Sequence, residues 1–187
     1  FKMYQAFGYH FDFIAIPIIK KRLRSDTSKV ILDEARPQLT EHLATRFRQK
    51  IGQNVNLLGE VVLGNGEADH RYHHYLEALE APDINYISVK ISGIYAQTHA
   101  LNYAESFPEL VKRMSALYQK AMDYPYVDEN GVKRAKFVNL DMEEYKDAHF
   151  TLRLFKEVLN KPEFKNYSAG IVVQAYLPDA YEFQTEL

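Results

Sequence analysis

The chain has 187 residues, of which 47% are hydrophobic and 26% are charged, a composition typical of a globular domain with a substantial core. Its formal net charge of -2 provides no basic surface for nucleic acid, so we expect no nucleic-acid contact from this segment. The chain contains no cysteine, which excludes disulfides and thiolate metal sites. A cysteine-free chain is compatible with a reducing compartment, and we expect a cytoplasmic protein.

The first third of the chain shows helical patterns and no strand signal. Residues 1–23 are rich in aromatic side chains, residues 25–28 have the composition of a loop, and Pro37 precedes a stretch in which apolar residues recur every four positions up to Ile51. We therefore predict a helical lead-in over residues 1–54.

An apolar stretch at residues 11–19 is followed directly by a basic cluster at residues 20–24. The stretch is too short for a membrane-spanning helix, which needs roughly 18 apolar residues. We favour a helix packed on the domain. The alternative is peripheral attachment to the inner membrane through this apolar and basic segment.

The remainder of the chain repeats a short apolar segment followed by a helical one. Strands are predicted at about 55–63, 84–92, 136–141 and 170–176, and helices at about 68–81, 105–124, 143–160 and from 177. Alternation of this kind predicts parallel β/α architecture. The predicted fold class is therefore α/β, the N-terminal half of a TIM-like (β/α)8 barrel preceded by a helical segment, with barrel units over 55–187. An open half-barrel would leave two unpaired sheet edges, so we expect the natural protein to be longer.

One polar residue lies near the C-terminal end of each predicted strand, namely Glu60, Lys90, Asp141 and Gln174. In a β/α barrel these ends meet at the mouth, where the chemistry of such folds takes place. Buried charges are costly unless they are paired, so we expect Lys90 to pair with Asp141 or Glu60. A purely structural ion pair that fills the barrel remains an alternative.

A lysine at a strand end also suits Schiff-base chemistry, as in class I aldolases. Lys90 would then act as the nucleophile of a lyase. A further hypothesis is a non-catalytic barrel fragment, in which Lys90 contributes only to stability.

Three histidines, His70, His73 and His74, share a face of the first predicted barrel helix. Their spacing would suit a metal ion. However, the helix after strand one is expected on the barrel exterior, and no cysteine or further histidine completes a ligand set. We therefore predict a solvated helix face and no metal site.

Four groups of short segments occur in one order with regular spacing. They are residues 58–60 with Ala68 and 75–77, then 86–92, 137–144 and 170–176. These segments resemble bacterial proline dehydrogenase, and most of all the proline dehydrogenase domain of the bifunctional proline utilization A enzymes. The resemblance spans roughly residues 25–187. Each segment is short, but four in register are fairly specific.

The resemblance implies an FAD-dependent enzyme of proline catabolism on a distorted β/α barrel. It implies oxidation of L-proline to Δ1-pyrroline-5-carboxylate, with hydride transfer to flavin N5 and quinone as the electron acceptor. The implied partners are L-proline, a quinone and a fused or separate pyrroline-5-carboxylate dehydrogenase.

The resemblance also implies roles for individual residues. Lys90 matches the lysine that contacts the proline carboxylate, Asp141 the active-site aspartate near flavin and substrate, and Glu60 a glutamate that supports Lys90. The positions matching flavin contacts are Leu140, Val172 and Gln174. The family's later flavin-binding strand motif and its arginine pair for the proline carboxylate do not occur in these 187 residues. We therefore expect this segment alone not to turn over proline.

Overall fold

The computed structural model describes residues 12–27, 31–32, 36–58, 62, 64–96 and 103–187. These fall into two compact units, Phe1–Ile51 and Gly52–Leu187. The predicted lead-in over 1–54 and barrel units over 55–187 remain a prediction. Among the helices that the structure describes, none is long and apolar enough to cross a membrane.

The first unit contains helices α1 (Asp12–Thr27) and α2 (Arg36–Arg48). The loop predicted from residue 25 is wrong as far as Thr27, because the last turn of α1 carries its own stabilising contacts. Arg22 forms an ion pair with Asp26 at 2.9 Å, and the Thr27 hydroxyl donates to the Leu23 carbonyl at 2.8 Å. Residues 1–11 and 28 of these predictions lie outside the described residues.

The second unit alternates helices with short strands. In chain order its elements are β1 (Val55–Asn56), α3 (Asn65–Glu80), β2 (Tyr86–Lys90), α4 (Ile91–Ile94), α5 (Tyr103–Asp123), β3 (Tyr126–Val127), β4 (Lys133–Arg134), β5 (Phe137–Asp141), α6 (Ala148–Leu159), β6 (Gly170–Ile171) and α7 (Ala180–Glu186). Two 3-10 turns, Tyr145–Asp147 and Pro162–Phe164, precede α6 and β6 respectively.

The main sheet has four parallel strands in the order β1-β2-β5-β6. Successive main-sheet strands along the chain are therefore neighbours in space. A doubly wound sheet would reverse its strand order at a switch point, whereas the strands of a β/α barrel follow one another around the wall. The predicted α/β class with parallel strands is confirmed. The sheet is open over the part of the chain that the structure describes.

The core lies between the two central strands and the helices that cover one face of the sheet. Its apolar members include Ile87 and Val89 on β2, Val138 and Leu140 on β5, Leu110, Met114 and Leu117 on α5, and Leu152, Leu154 and Val158 on α6. Burial of a large aliphatic side chain contributes roughly 1.5–3 kcal/mol, so this layer fixes the position of β2 and β5. The functional side chains described below project from these two rigid strands.

Polar contacts anchor the N-terminal end of β5. The buried Lys136 ammonium donates to the Ala81 carbonyl, and the Tyr167 hydroxyl donates to the Lys136 carbonyl at 3.0 Å. The ring of Tyr118 lies 5.0 Å from that of Tyr167. The Tyr118 hydroxyl is also buried, but it has no hydrogen-bond partner among the described residues.

The outer strands are shorter than predicted. The strand predicted at 55–63 is confined to Val55–Asn56, with Leu58 exposed and residues 59–61 and 63 outside the described residues. The strand predicted at 170–176 ends at Ile171, although the Val172 amide still donates to the Leu140 carbonyl at 2.9 Å. Each outer strand has one neighbour in the described sheet, so a ladder on one side alone supports it.

Helix α6 begins later than the predicted residue 143, because a 3-10 turn at Tyr145–Asp147 intervenes. Within the range predicted for this helix, 143–160, Leu152 and Val158 are buried, whereas Tyr145 is exposed. The predicted helix is thus confirmed, whereas its predicted start at residue 143 is wrong.

A small antiparallel hairpin, β3–β4, was not predicted. The Asp128 carboxylate accepts the amides of Asn130 and Val132, both at 2.9 Å, and closes the turn. Gly131 has a positive φ of 77°, a conformation that favours glycine. Two-residue strands leave too short an alternation to be recognised in a sequence.

Candidate active site

Lys90 and Asp141 lie at the C-terminal ends of the two central strands, at directly matching positions of the parallel pair. Side chains alternate along a strand, so Ser88 and Asn139 share their face. The C-terminal end of the sheet, called the mouth below, therefore presents a cation and a carboxylate side by side. This convergence is what the strand-end pattern predicted.

The Lys90 ammonium donates to Glu143 Oε1 at 2.6 Å, and the Ser92 hydroxyl donates to Glu143 Oε2, also at 2.6 Å. Lys90 ends β2, Ser92 lies on α4, and Glu143 follows β5. Both carboxylate oxygens of Glu143 are thus engaged. The Lys90 side chain is 25% exposed and that of Glu143 40%, so the pair lies at the solvent boundary.

The expected pairing of Lys90 with Asp141 is therefore wrong. No ion pair joins these two side chains in the part of the chain that the structure describes, and Lys90 pairs with Glu143 instead. The longer side chain of Glu143 reaches back from beyond the strand, while Asp141 is held by other partners. Glu60, the other expected partner, lies outside the described residues.

Asp141 is held by two neutral amides. Asn56 Nδ2 lies 3.4 Å from Asp141 Oδ2, and Asn139 Nδ2 lies 3.3 Å from Asp141 Oδ1. Partial burial raises the pKa of Asp141 above its usual range; the Lys90 charge acts to lower this pKa, and the Glu143 charge acts to raise it. The carboxyl is therefore a stronger proton acceptor than an ordinary aspartate.

A layer of neutral polar side chains lies directly below this mouth. Ser88 Oγ accepts hydrogen bonds from Asn54 Nδ2 at 2.7 Å and from Asn139 Nδ2 at 3.3 Å. Ser88 and Asn139 are both buried. The hydrogen bonds link β2 and β5 with the residue before β1, and they fix the Asn139 amide beneath Asp141.

Glu143 has the opposite electrostatic behaviour from Asp141. Partial burial acts to raise the pKa of Glu143, but the hydrogen bonds from Lys90 and Ser92, together with the charges of Lys90 and Arg71, hold it below its usual range. Glu143 is thus stabilised as a carboxylate. The mouth therefore contains one carboxylate that is paired with the lysine, Glu143, and one that forms no ion pair among the described residues, Asp141.

Gln174 lies at the same edge, beyond the end of β6. Its Nε2 donates to the Met142 carbonyl at 3.1 Å and to the Glu143 carbonyl at 3.3 Å. Gln174 therefore ties the segment after β5 to the segment after β6. The structure thus places Gln174 close to the C-terminal end of β5, as the strand-end pattern predicted.

Leu140 and Val172 occupy different environments. Leu140 is fully buried and lies on the opposite face of β5 from Asp141. Val172 is partly buried, and its amide donates to the Leu140 carbonyl at 2.9 Å. Only Val172 of this pair has a side chain that reaches the surface.

The predicted histidine face lies on α3. The His70 and His74 rings are 4.2 Å apart, and His73 Nδ1 lies 2.6 Å from the Asp69 carbonyl. The described residues include no group of three or more histidine, aspartate or glutamate side chains placed to hold a metal ion. His73 is engaged by the backbone of its own helix.

The family model for proline dehydrogenase matches residues 39–187, which include both central strands and all the strand-end residues. The chain belongs to the proline dehydrogenase family. Among curated proteins, none matched the chain.

Solved structures agree with the family. Proline utilization A from Corynebacterium freiburgense is 36% identical with a TM-score of 0.77, and the match covers 98% of this chain and 18% of that one. Proline utilization A from Bdellovibrio bacteriovorus, inactivated by N-propargylglycine, is 31% identical with a TM-score of 0.77, covering 91% of this chain and 19% of that one. The chain thus spans about a fifth of the length of these relatives.

The residues at the mouth suit a flavin. The Gln174 amide nitrogen is committed to two carbonyls, and the described residues donate no hydrogen bond to its amide oxygen. An isoalloxazine ring carries an N–H that can donate a hydrogen bond to this oxygen. Val172, two residues before Gln174, has a partly buried apolar side chain. Leu140 fits this role less well, because its side chain is enclosed by the core.

Sequence reasoning missed Glu143, Asn56 and Asn54. Glu143 stands in the segment that carried the family resemblance, but it was assigned to the first turn of a helix that begins only at Ala148. A glutamate two residues after a strand-end aspartate was the available signal. The asparagines precede or occupy the short β1, where alternation with Asn54 and Asn56 on one face was visible in the sequence.

Proposed function

We propose that the complete protein oxidises L-proline to Δ1-pyrroline-5-carboxylate with FAD as its cofactor. The observation that carries the proposal is the placement of Lys90 and Asp141 at matching strand ends, in a chain of the proline dehydrogenase family. FAD, when bound, supplies the hydride acceptor at N5. The residues described here bind and orient the substrate.

Lys90 is the proposed binding group for the proline carboxylate. An ammonium has three N–H donors, and one of them is used on Glu143. The remaining donors can make charge-assisted hydrogen bonds to a substrate carboxylate at the mouth. The exposed fraction of the Lys90 side chain, 25%, leaves this approach open.

Asp141 is the proposed catalytic carboxylate. Its two oxygens receive only long hydrogen bonds from neutral amides, so its charge is not neutralised by an ion pair among the described residues. A carboxylate in this position can balance the positive charge of the ring nitrogen while Lys90 holds the substrate's carboxylate. The raised pKa of Asp141 also suits it to accept a proton from that nitrogen.

The remaining expectations belong to the same proposal. Leu140, Val172 and Gln174 are the proposed flavin contacts, and Glu60 is the proposed support for Lys90. Quinone is the proposed electron acceptor, and a fused or separate pyrroline-5-carboxylate dehydrogenase the proposed consumer of the product. A cytoplasmic location completes it, with peripheral attachment to the inner membrane as the alternative to a helix packed on the domain.

A Schiff-base lyase is the competing function, and the ion pair weighs against it. An ammonium engaged by Glu143 has no lone pair with which to attack a carbonyl. Borohydride trapping with a carbonyl substrate would reveal such an enzyme. A non-catalytic role predicts neither a bound flavin nor a trapped adduct.

The test uses the full-length gene product. Its visible absorption is recorded before and after addition of L-proline without an electron acceptor, with D-proline as the control. A flavin spectrum that bleaches with L-proline and recovers on addition of quinone is expected. A colourless protein that does not take up added FAD contradicts the proposal. The 187-residue chain alone is expected to show no turnover in a proline:dye assay.

A further inference from the structure

We propose that Glu143 is a positioning residue that holds the Lys90 ammonium at the mouth for the substrate carboxylate. This inference rests on the proposed function of Lys90. It adds a residue that acts through Lys90 rather than on the reacting atoms.

The geometry of Glu143 is that of a built support. Lys90 and Ser92 each donate to a different oxygen of its carboxylate, both at 2.6 Å. Gln174 holds the Glu143 backbone carbonyl at 3.3 Å. Residues of β2 and α4 therefore fix the side chain of Glu143, and the segment after β6 fixes its backbone. A surface glutamate without such partners would sample several rotamers.

Preorganisation is the physical benefit of this support. A lysine side chain has a flexible four-carbon stem, and it loses rotamer freedom when it binds a carboxylate. Glu143 restricts that freedom before the substrate arrives, so less is lost on binding. The charge of Glu143 also compensates the ammonium in the empty site. Stabilisation of Glu143 as a carboxylate supports this role.

The chain offers a matched control in the next residue. Glu144 is also a glutamate, forms its own ion pair with Lys146 at 2.7 Å, and is 58% exposed. Its substitution removes the same charge from the same loop without touching Lys90. Comparison of Glu143→Gln with Glu144→Gln therefore separates the Lys90 contact from a general change in charge.

The experiment measures two quantities on the full-length protein. One is the steady-state KM and kcat for L-proline. The other is the Kd for cyclopentanecarboxylate, a ring carboxylate without nitrogen that cannot be oxidised to an imine. Glu143→Gln is expected to raise KM and Kd about tenfold with kcat changed less than about threefold. Glu144→Gln is expected to leave all three unchanged.

A double-mutant cycle decides whether the effect passes through Lys90. In a Lys90→Met background, Glu143→Gln is expected to have no further effect on KM or Kd. An equal loss in both backgrounds would mean a structural role and would overturn the inference. An unchanged KM and Kd for Glu143→Gln in the wild-type background would overturn it as well.

A second variant keeps the test informative if Glu143→Gln does not fold. Ser92→Ala removes one hydrogen bond to Glu143 without changing any charge. It is expected to raise Kd about threefold, and again only when Lys90 is present. Equal effects of Ser92→Ala with and without Lys90 contradict the inference.

The carboxylate probe distinguishes failure of this inference from failure of the proposed function. A protein that does not oxidise proline, yet binds cyclopentanecarboxylate in a manner dependent on Lys90 and Glu143, rejects the function and retains the positioning role. A protein that oxidises proline equally well with and without Glu143 rejects the positioning role alone. Absence of binding to the probe rejects the positioning role.

Discussion

Lys90 and Asp141 face each other across neighbouring parallel strands, yet the ammonium of Lys90 donates to Glu143, two residues beyond Asp141. The two carboxylates at this edge are thereby distinguished. Glu143 is engaged through both oxygens, whereas Asp141 receives only neutral amides at 3.3 and 3.4 Å. One carboxylate supports the lysine and the other remains available to a bound molecule.

Lys90→Met is expected to weaken carboxylate binding while keeping the apolar stem of the side chain. Hydrogen bonds to charged groups contribute about 1.5–3 kcal/mol, so KM for L-proline should rise about 10- to 100-fold. Steady-state kinetics on the full-length protein measure this. The matched control is Lys133→Met, an exposed lysine on β4, for which KM should not change. A normal KM for Lys90→Met would exclude Lys90 from substrate binding.

Asp141→Asn is expected to raise the melting temperature at neutral pH. The pKa of Asp141 is raised in the folded protein, mainly by burial, so the folded state holds this proton more tightly than the unfolded state. The contribution of Asp141 to stability is thus favourable at low pH and becomes unfavourable as pH rises past the ordinary aspartate value of about 3.9. Thermal unfolding at pH 7 and at about pH 3 should show a difference only at pH 7. Exposed Glu129→Gln is the control, expected to change little at either pH.

Gly170→Ala is expected to destabilise the protein by about 1–3 kcal/mol through overpacking. A Cβ at Gly170 would lie 2.6 Å from Asn139 Oδ1 and 2.9 Å from a ring carbon of Phe137. Chemical denaturation measures the loss, and displacement of Asn139 should also weaken the support of Asp141. Gly66→Ala is the control, because nothing lies within 4 Å of its Cβ position and it lies within α3. That change should be neutral or stabilising by up to about 1 kcal/mol.

Two neighbouring tyrosines should respond oppositely to loss of the hydroxyl. Burial raises the pKa of both, but among the described residues only the Tyr167 hydroxyl has a hydrogen-bond acceptor, the Lys136 carbonyl at 3.0 Å. Tyr167→Phe should cost about 1 kcal/mol of unfolding free energy, whereas Tyr118→Phe should be neutral or stabilising because its buried hydroxyl has no partner among the described residues. Urea unfolding of the two variants compares them. A loss for Tyr118→Phe equal to that for Tyr167→Phe would contradict this account.

The parallel α/β pattern could be predicted because long alternating segments carry strong signals. Strands β2 and β5 and helices α3, α5 and α6 all lie where the sequence placed them, within a few residues. The short β1 and β6 could not be bounded, since their ends depend on neighbours in the sheet rather than on local composition. The hairpin β3–β4 was not predicted because its two-residue strands are too short to show an alternation in the sequence.

The strand-end residues were predictable because alternation fixes which side chains share a face. Their pairing was not, because it depends on side-chain length and on the path of the chain after β5. Glu143 can reach Lys90 because the helix starts at Ala148 rather than at residue 143. A helix beginning earlier would have directed the same glutamate along a regular helical face.

The layer of Asn54, Ser88 and Asn139 beneath the mouth contains amides and a hydroxyl and no group that titrates between acid and alkaline pH. The alignment of the strand ends therefore does not depend on proton concentration. Acid alters the charges of Asp141 and Glu143 while the hydrogen bonds that align the strands below them stay the same. The layer keeps the same charge as the pH changes, and the acid–base response at the mouth comes from the carboxylates above it.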